Sequence, residues 1–199
     1  MKNPTYPNGR VKGAAIREFI AWHVSVHGAE PLERAIRSLR PEEQETFALD
    51  RVCLGVLPSV WFPAEVVHGV LDRLTEGLDA AEYDALVQGG AAATVHGLMS
   101  GAQRIVFSTL LSPRTYTKVA SLAFRLNYES GRIENEVLGP KRHRGRVEEW
   151  RSHHPFLCRM NVAIKAGIYR AMGCKNVHIE ERFCRADGQA ECGSVIAWE

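Results

Sequence analysis

The chain has 199 residues, 45% hydrophobic and 24% charged, the balance of an ordinary globular domain and not of a disordered, fibrous or coiled-coil chain. Lys and Arg (25) exceed Asp and Glu (23) by 2, too little for the global field that drives non-specific nucleic-acid binding. No stretch approaches the roughly 18 apolar residues of a membrane-spanning helix. The opening MKNPTYPNGRVKG lacks the apolar run of a signal peptide, so a cytoplasmic location is expected.

Residues 1–12, polar and carrying two prolines, read as a flexible arm before a single domain over 13–199. Residues 14–27 have a helical stripe of Ala15, Ile16, Phe19, Ile20 and His23. Further helices are predicted over 31–39 and 41–49, each opened by a proline that suits the first turn. Pro63 opens a strongly amphipathic helix to residue 74, with Val66, Val67, Val70, Leu71 and Leu74 inward. The next helix, 80–100, carries Gly89, Gly90 and Gly97, with Gly101 just beyond. Each costs about 1 kcal/mol against Ala, unless it allows a close helix contact. A helix over 112–126 follows, with Ser112 as N-cap and Pro113 behind it.

The character changes after residue 127. Residues 132–138 alternate as a strand, and 142–150 form its hairpin partner across Gly139-Pro140. A helix over 155–172 ends at Gly173. Two more strands, 177–184 and 191–198, flank the Asp187-Gly188 turn. The expected fold is therefore α+β. A mainly helical part, 13–127, covers an antiparallel sheet built strand–strand–helix–strand–strand over 128–199.

Five cysteines are present, and four lie in the last 42 residues: Cys158, Cys174, Cys184 and Cys192. Cys184 and Cys192 flank the last hairpin, and Cys158 lies early in the preceding helix. Three thiolates can thus meet at one end of the hairpin. Either Glu181 or Cys174 would complete a closed tetrahedral site, for which zinc is the fitting metal. A flat strand puts residues 181 and 184 on opposite faces, so Glu181 needs a bulge between them. Buried cysteines also serve simply as small hydrophobes.

The C-terminal third, with a helix ending in Gly, E-x2-C at Glu181–Cys184 and C-x7-C at Cys184–Cys192, resembles the 4-vinyl-reductase-like small-molecule-binding domain of aromatic-sensing activators. That resemblance implies a structural zinc on Cys158, Glu181, Cys184 and Cys192, and a pocket for a small apolar or aromatic ligand. The ligand contacts in those sensors are a His and a Trp, for which Trp150, His153, His154 and His96 are the candidates. With Trp61-Phe62-Pro63 and the ending at Trp198, the whole chain also resembles an uncharacterised bacterial paralogue family of about this length. The wider fold group resembles the dimeric TRAPP-complex subunits. The expected function is a sensor domain, not an enzyme, signalling through a partner protein or its own homodimer. Alternatives are a dimeric scaffold without ligand and a haem-based gas sensor.

The gas-sensor alternative rests on Tyr128-x-Ser130-x-Arg132, which resembles the haem-propionate triad of haem-based nitric-oxide and oxygen sensors. In that family an upstream histidine ligates the iron, and His96 lies 32 residues before Tyr128. A helix follows the triad closely there, whereas a strand hairpin is predicted here. The basic run Lys141, Arg142, His143, Arg144, Arg146 and Arg151 reads as a solvated strand face opposite Glu134 and Glu136, so no nucleic-acid partner is expected. There is no phosphate loop, dinucleotide fingerprint or nucleophile elbow.

Overall fold

The computed structural model describes residues 8–99 and 112–199. Among these, the chain runs β1 (Arg10–Lys12), α1 (Gly13–His27), α2 (Glu30–Arg37), α3 (Pro41–Gln44), β2 (Trp61–Pro63), α4 (Ala64–Thr75) and α5 (Ala80–Leu98). It continues through α6 (Pro113–Arg125), β3 (Arg132–Gly139), β4 (Arg142–Glu148), α7 (Pro155–Ala171), β5 (His178–Phe183) and β6 (Cys192–Ala197). The fold is α+β, as the alternating periods imply.

Helix termini follow local chemistry. Asp79 caps α5, accepting from the N–H groups of Ala81 (2.8 Å) and Glu82 (2.9 Å), while the Glu82 carboxylate accepts from the Asp79 N–H. Ser112 Oγ accepts from the Thr115 N–H at 3.2 Å and starts α6. The expected start of α4 is one residue off, because Pro63 belongs to β2. Ser100 and Gly101, at the expected end of α5, lie outside the described residues, as do residues 1–7 of the expected arm.

The arm's end is corrected. Arg10–Lys12 is a strand, paired antiparallel with Trp61–Pro63, and Val11 is fully buried. Three residues are too few to show a period, and Val11 is the single apolar position in the pair's first strand, so the sequence carried little signal there.

The glycines of α5 work as contact points. A methyl group on Gly90 would collide with Phe19, and one on Gly89 with Trp22. Their absence lets α1 lie directly on α5, which in turn packs on α7. Val95 of α5 occupies the space above Gly167 of α7 in the same way.

The larger sheet is antiparallel with strand order β3-β4-β6-β5. Its inner strand β6 is buried at every position, and α6 and α7 lie over β3 and β6. On the other face, Arg146 pairs with Glu134 (3.1 Å) and Arg132 with Glu148 (2.7 Å) across the β3–β4 hairpin. The basic run is thus largely matched by carboxylates on neighbouring strands. No helix among the described residues is long and apolar enough to cross a membrane.

Candidate functional site

The predicted cysteine site resolves into a different cluster. Sγ of Cys158, Cys184 and Cys192 and a ring nitrogen of His153 all lie within 4.8 Å of one another. His153 Nε2 is 3.3 Å from Cys184 Sγ, and the Cys184 and Cys192 sulfurs are 3.8 Å apart. α7 supplies Cys158, the loop before it supplies His153, and the β5–β6 hairpin supplies the other two. Cys192 accepts from the Arg185 N–H at 3.4 Å. The Cys158 thiol, by donating to Cys192, pulls the latter's pKa down to about 4, with His153 acting in the same direction; Cys158 is pushed up in return.

Glu181 is not part of this cluster. It is exposed, 3.9 Å from Arg144. The only register shift in β5 lies between Ile179 and Glu181, before the carboxylate, so nothing turns Glu181 to the face of Cys184. Cys174 is also elsewhere, packed in the cluster of Tyr169 and Ile196. His153, a candidate only for ligand contact, was not expected among the thiols, because a single histidine before a proline-started helix has no spacing signal of its own.

A cavity of about 200 Å³ lies between α6, α7 and the sheet. Val119, Ala120 and Phe124 line it from α6, Ile133 and Val147 from the sheet, and Val162 and Ile168 from α7. Trp150 lines it too. Glu149, at φ 53° in the left-handed region, turns the chain between β4 and α7, and the next residue is buried to 2% exposure. The Trp150 ring stands edge-on to Phe124 (5.5 Å), Tyr128 (5.1 Å) and His153 (5.6 Å), so it joins the cavity to the thiol cluster. Cys158 and Cys192 themselves form part of the cavity wall.

His96 faces away. It is exposed beside a separate, shallow depression between α5 and α7, while Leu98, two positions along the helix, reaches the cavity. Two residues turn a helix by about 200°, so both cannot share a face.

No known family model matches the sequence, and no curated protein does. Solved structures do match over nearly the whole chain. An H-NOX protein from K. algicida in the Fe(II) unliganded state superposes with a TM-score of 0.68 at 13% identity, covering 94% of this chain and 96% of that one. An H-NOX protein from S. oneidensis in the Fe(II)NO state gives 0.65 at 17% identity, covering 94% and 99%. An oxygen-binding H-NOX domain related to soluble guanylate cyclases gives 0.64 at 11% identity, covering 94% and 95%. The fold is that of the H-NOX domains.

Two expectations are corrected by this match. The resemblance to the 4-vinyl-reductase-like domain is overturned, since the architecture shared over 94% of the chain is the H-NOX one. Zinc as the cofactor falls with it. The motif behind both is short. Of the H-NOX structures that share the fold, one is described as Fe(II) unliganded and one in its Fe(II)NO ligation state.

The residues of this chain do not fit haem itself. None of its eight histidines lines the cavity among the described residues. Residues 100–111, between α5 and α6, contain no His, Cys, Met, Tyr or Lys. The cavity's own oxygen candidates are held neutral: burial pushes both Tyr116 and Tyr128 up to about 12. The Tyr-x-Ser-x-Arg residues are already used. Tyr128 Oη accepts from Asn161 Nδ2 (3.1 Å), Ser130 Oγ accepts from the Arg151 N–H (3.0 Å), and Arg132 pairs with Glu148. After Arg132 comes β3, and the next helix is α7. The volume is also wrong: an apolar cavity of about 150 Å³ takes up one benzene, and a porphyrin is several times larger.

Proposed function

We propose that the chain is a small-molecule sensor domain on the H-NOX fold, with the cavity behind α6 as its receptor. The observation that carries this is the cavity itself, enclosed largely by apolar side chains and bounded by Trp150, in a domain whose other helices are closely packed. Its mouth lies at α6, where Val119 is 39% exposed.

A ligand there touches α6, α7 and the sheet at once, and through Trp150 and Cys158 it bears on the thiol–imidazole cluster. That cluster acts as a clasp pinning the β5–β6 hairpin to α7. Occupancy of the cavity changes how α6 sits, and a partner protein or a second copy of the chain reads that change. The domain acts in the cytoplasm and carries out no chemistry on its ligand.

Native mass spectrometry of gently purified protein, with a hemin titration followed by absorption, tests the reading. A co-purifying small molecule, and no saturable Soret band at one hemin per chain, is the expected result. Stoichiometric, axially ligated haem would return the chain to haem-based gas sensing.

A further inference from the structure

The cavity wall is mostly apolar, and several of its polar side chains are satisfied: Asn161 donates to Tyr128, Asn127 to the Ala123 carbonyl, and Arg146 pairs with Glu134, whereas two donors are left without a partner. Lys165 is only 9% exposed, on the cavity face of α7, yet its Nζ has no hydrogen-bond partner. Trp150 Nε1 is likewise buried and unpartnered. Leaving such a donor unsatisfied is costly, more so for a charged one, so two on residues of one small cavity call for an explanation.

The local sequence keeps Lys165 there. Opposite it, in β4, stands Gly145; any side chain at that position would collide with Nζ, and its Cβ would lie 3.0 Å from Asn135 Oδ1. The glycine thus makes the room that the ammonium occupies at the cavity wall. Asn135 donates from Nδ2 to the Thr117 carbonyl (3.1 Å), while its Oδ1, also buried and without a partner, does not approach Nζ within hydrogen-bond distance. Among the described residues, no carboxylate lines the cavity.

Lys and Trp side chains only donate. The complementary ligand therefore brings acceptors, and beside an ammonium with no counter-ion it brings a negative charge. The remaining wall, Phe124, Ile133 and Val147 among it, asks for a hydrocarbon body.

We propose that this cavity binds a small apolar carboxylic acid, its carboxylate on Lys165 Nζ and its hydrocarbon body against Phe124, Ile133 and Val147. Trp150 Nε1 offers a second donor on the same wall. The assignment rests on the sensor reading above and gives that receptor its ligand class. At about 200 Å³ the cavity suits one ring or a short chain with its carboxylate.

Calorimetric titrations of the full chain with benzoate, toluene and benzylamine test this. Benzoate is expected to bind at least tenfold more tightly than benzylamine. Lys165→Met is expected to lose that preference while keeping toluene binding, which shows that the variant's cavity is intact. Trp150→Phe is expected to weaken benzoate less than Lys165→Met does. Toluene binding with no preference for benzoate over benzylamine would overturn the carboxylate assignment and leave the receptor standing. Failure of all three probes to bind the wild-type chain would overturn both.

Discussion

The two sides of α7 are built differently. Toward α5 it is close-packed: Gly167 receives Val95, and beyond it Gly89 and Gly90 of α5 receive Trp22 and Phe19 of α1. Toward α6 and the sheet a glycine again removes a side chain, and the head of Lys165 takes the space over Gly145 with no hydrogen-bond partner. The same residue type admits a close neighbour on both sides. What separates them is that neighbour. Apolar side chains fill the first space, and an unpaired charged head fills the second. A region that spends stability on an unpaired buried ammonium is where ligand binding is to be sought.

Replacing Lys165 by Met breaks that contrast most strongly. Burial lowers the Lys165 pKa from 10.5 to about 8, which corresponds to about 3 kcal/mol of destabilisation while the group is charged. The folded pKa is depressed, so the unfolded chain binds more protons between pH 8 and 10.5, and this penalty is full below pH 8 and relieved above it. Denaturant unfolding at pH 7 should show Lys165→Met more stable by about 2–3 kcal/mol, with the gap narrowing toward pH 10.5. The neighbouring His143, itself lowered chiefly by burial and then by the Lys165 charge, should titrate higher in that variant by NMR.

The packed side should respond to acid instead. Burial, assisted by His27, lowers His23 to about 4, and burial with His154 does the same to His68. Both folded values lie below the unfolded one, so stability is complete above pH 6.5 and falls as pH drops toward 4. His23→Gln should remove about 3 kcal/mol of that pH dependence in unfolding curves taken at pH 7 and pH 4. His154 adds to the trend. Its Nδ1 accepts from the Phe156 N–H (3.2 Å) while Nε2 donates to Asp72 Oδ1 (3.0 Å), so protonation at Nδ1 breaks the cap of α7.

Gly90→Ala should cost about 1–2 kcal/mol, because overpacking against Phe19 outweighs the gain in helix propensity. The same thermal-melt comparison at Gly77, where nothing stands near an added Cβ but φ is +79°, isolates backbone strain from packing. Smallest of all, Arg132→Ala should leave stability nearly unchanged in the same melts, since its pair with Glu148 is exposed, and should leave benzoate affinity unchanged. A larger loss of ligand binding would restore a role for Tyr128, Ser130 and Arg132 as an anion cradle.

Much of the fold was legible because long elements repeat a period: the helix from Gly13, α4, α7 and the two hairpins each show it over several turns or pairs. β1 and β2 were not, since three-residue strands hold no period and depend on each other across 50 residues of chain. In the site, Cys158, Cys184 and Cys192 were legible as a convergence because a hairpin and its preceding helix fix their approach. His153 was not, and Glu181 was misplaced because a carboxylate's face depends on where a bulge falls. Lys165 was invisible for a plainer reason. In sequence it is one lysine on an amphipathic helix, and only the fold shows that its head lies inside. The Tyr-x-Ser-x-Arg pattern pointed toward the right fold from residues that here do other work.

The central claim is that the space behind α6 is a receptor too small for haem. A crystal structure under xenon pressure tests it most directly, since xenon occupies dry apolar cavities of this size. The account predicts one xenon site against Phe124, Ile133 and Val147, with Lys165 Nζ at its edge. No xenon there, or a pocket that opens to accept a porphyrin with an axial side chain, would contradict it.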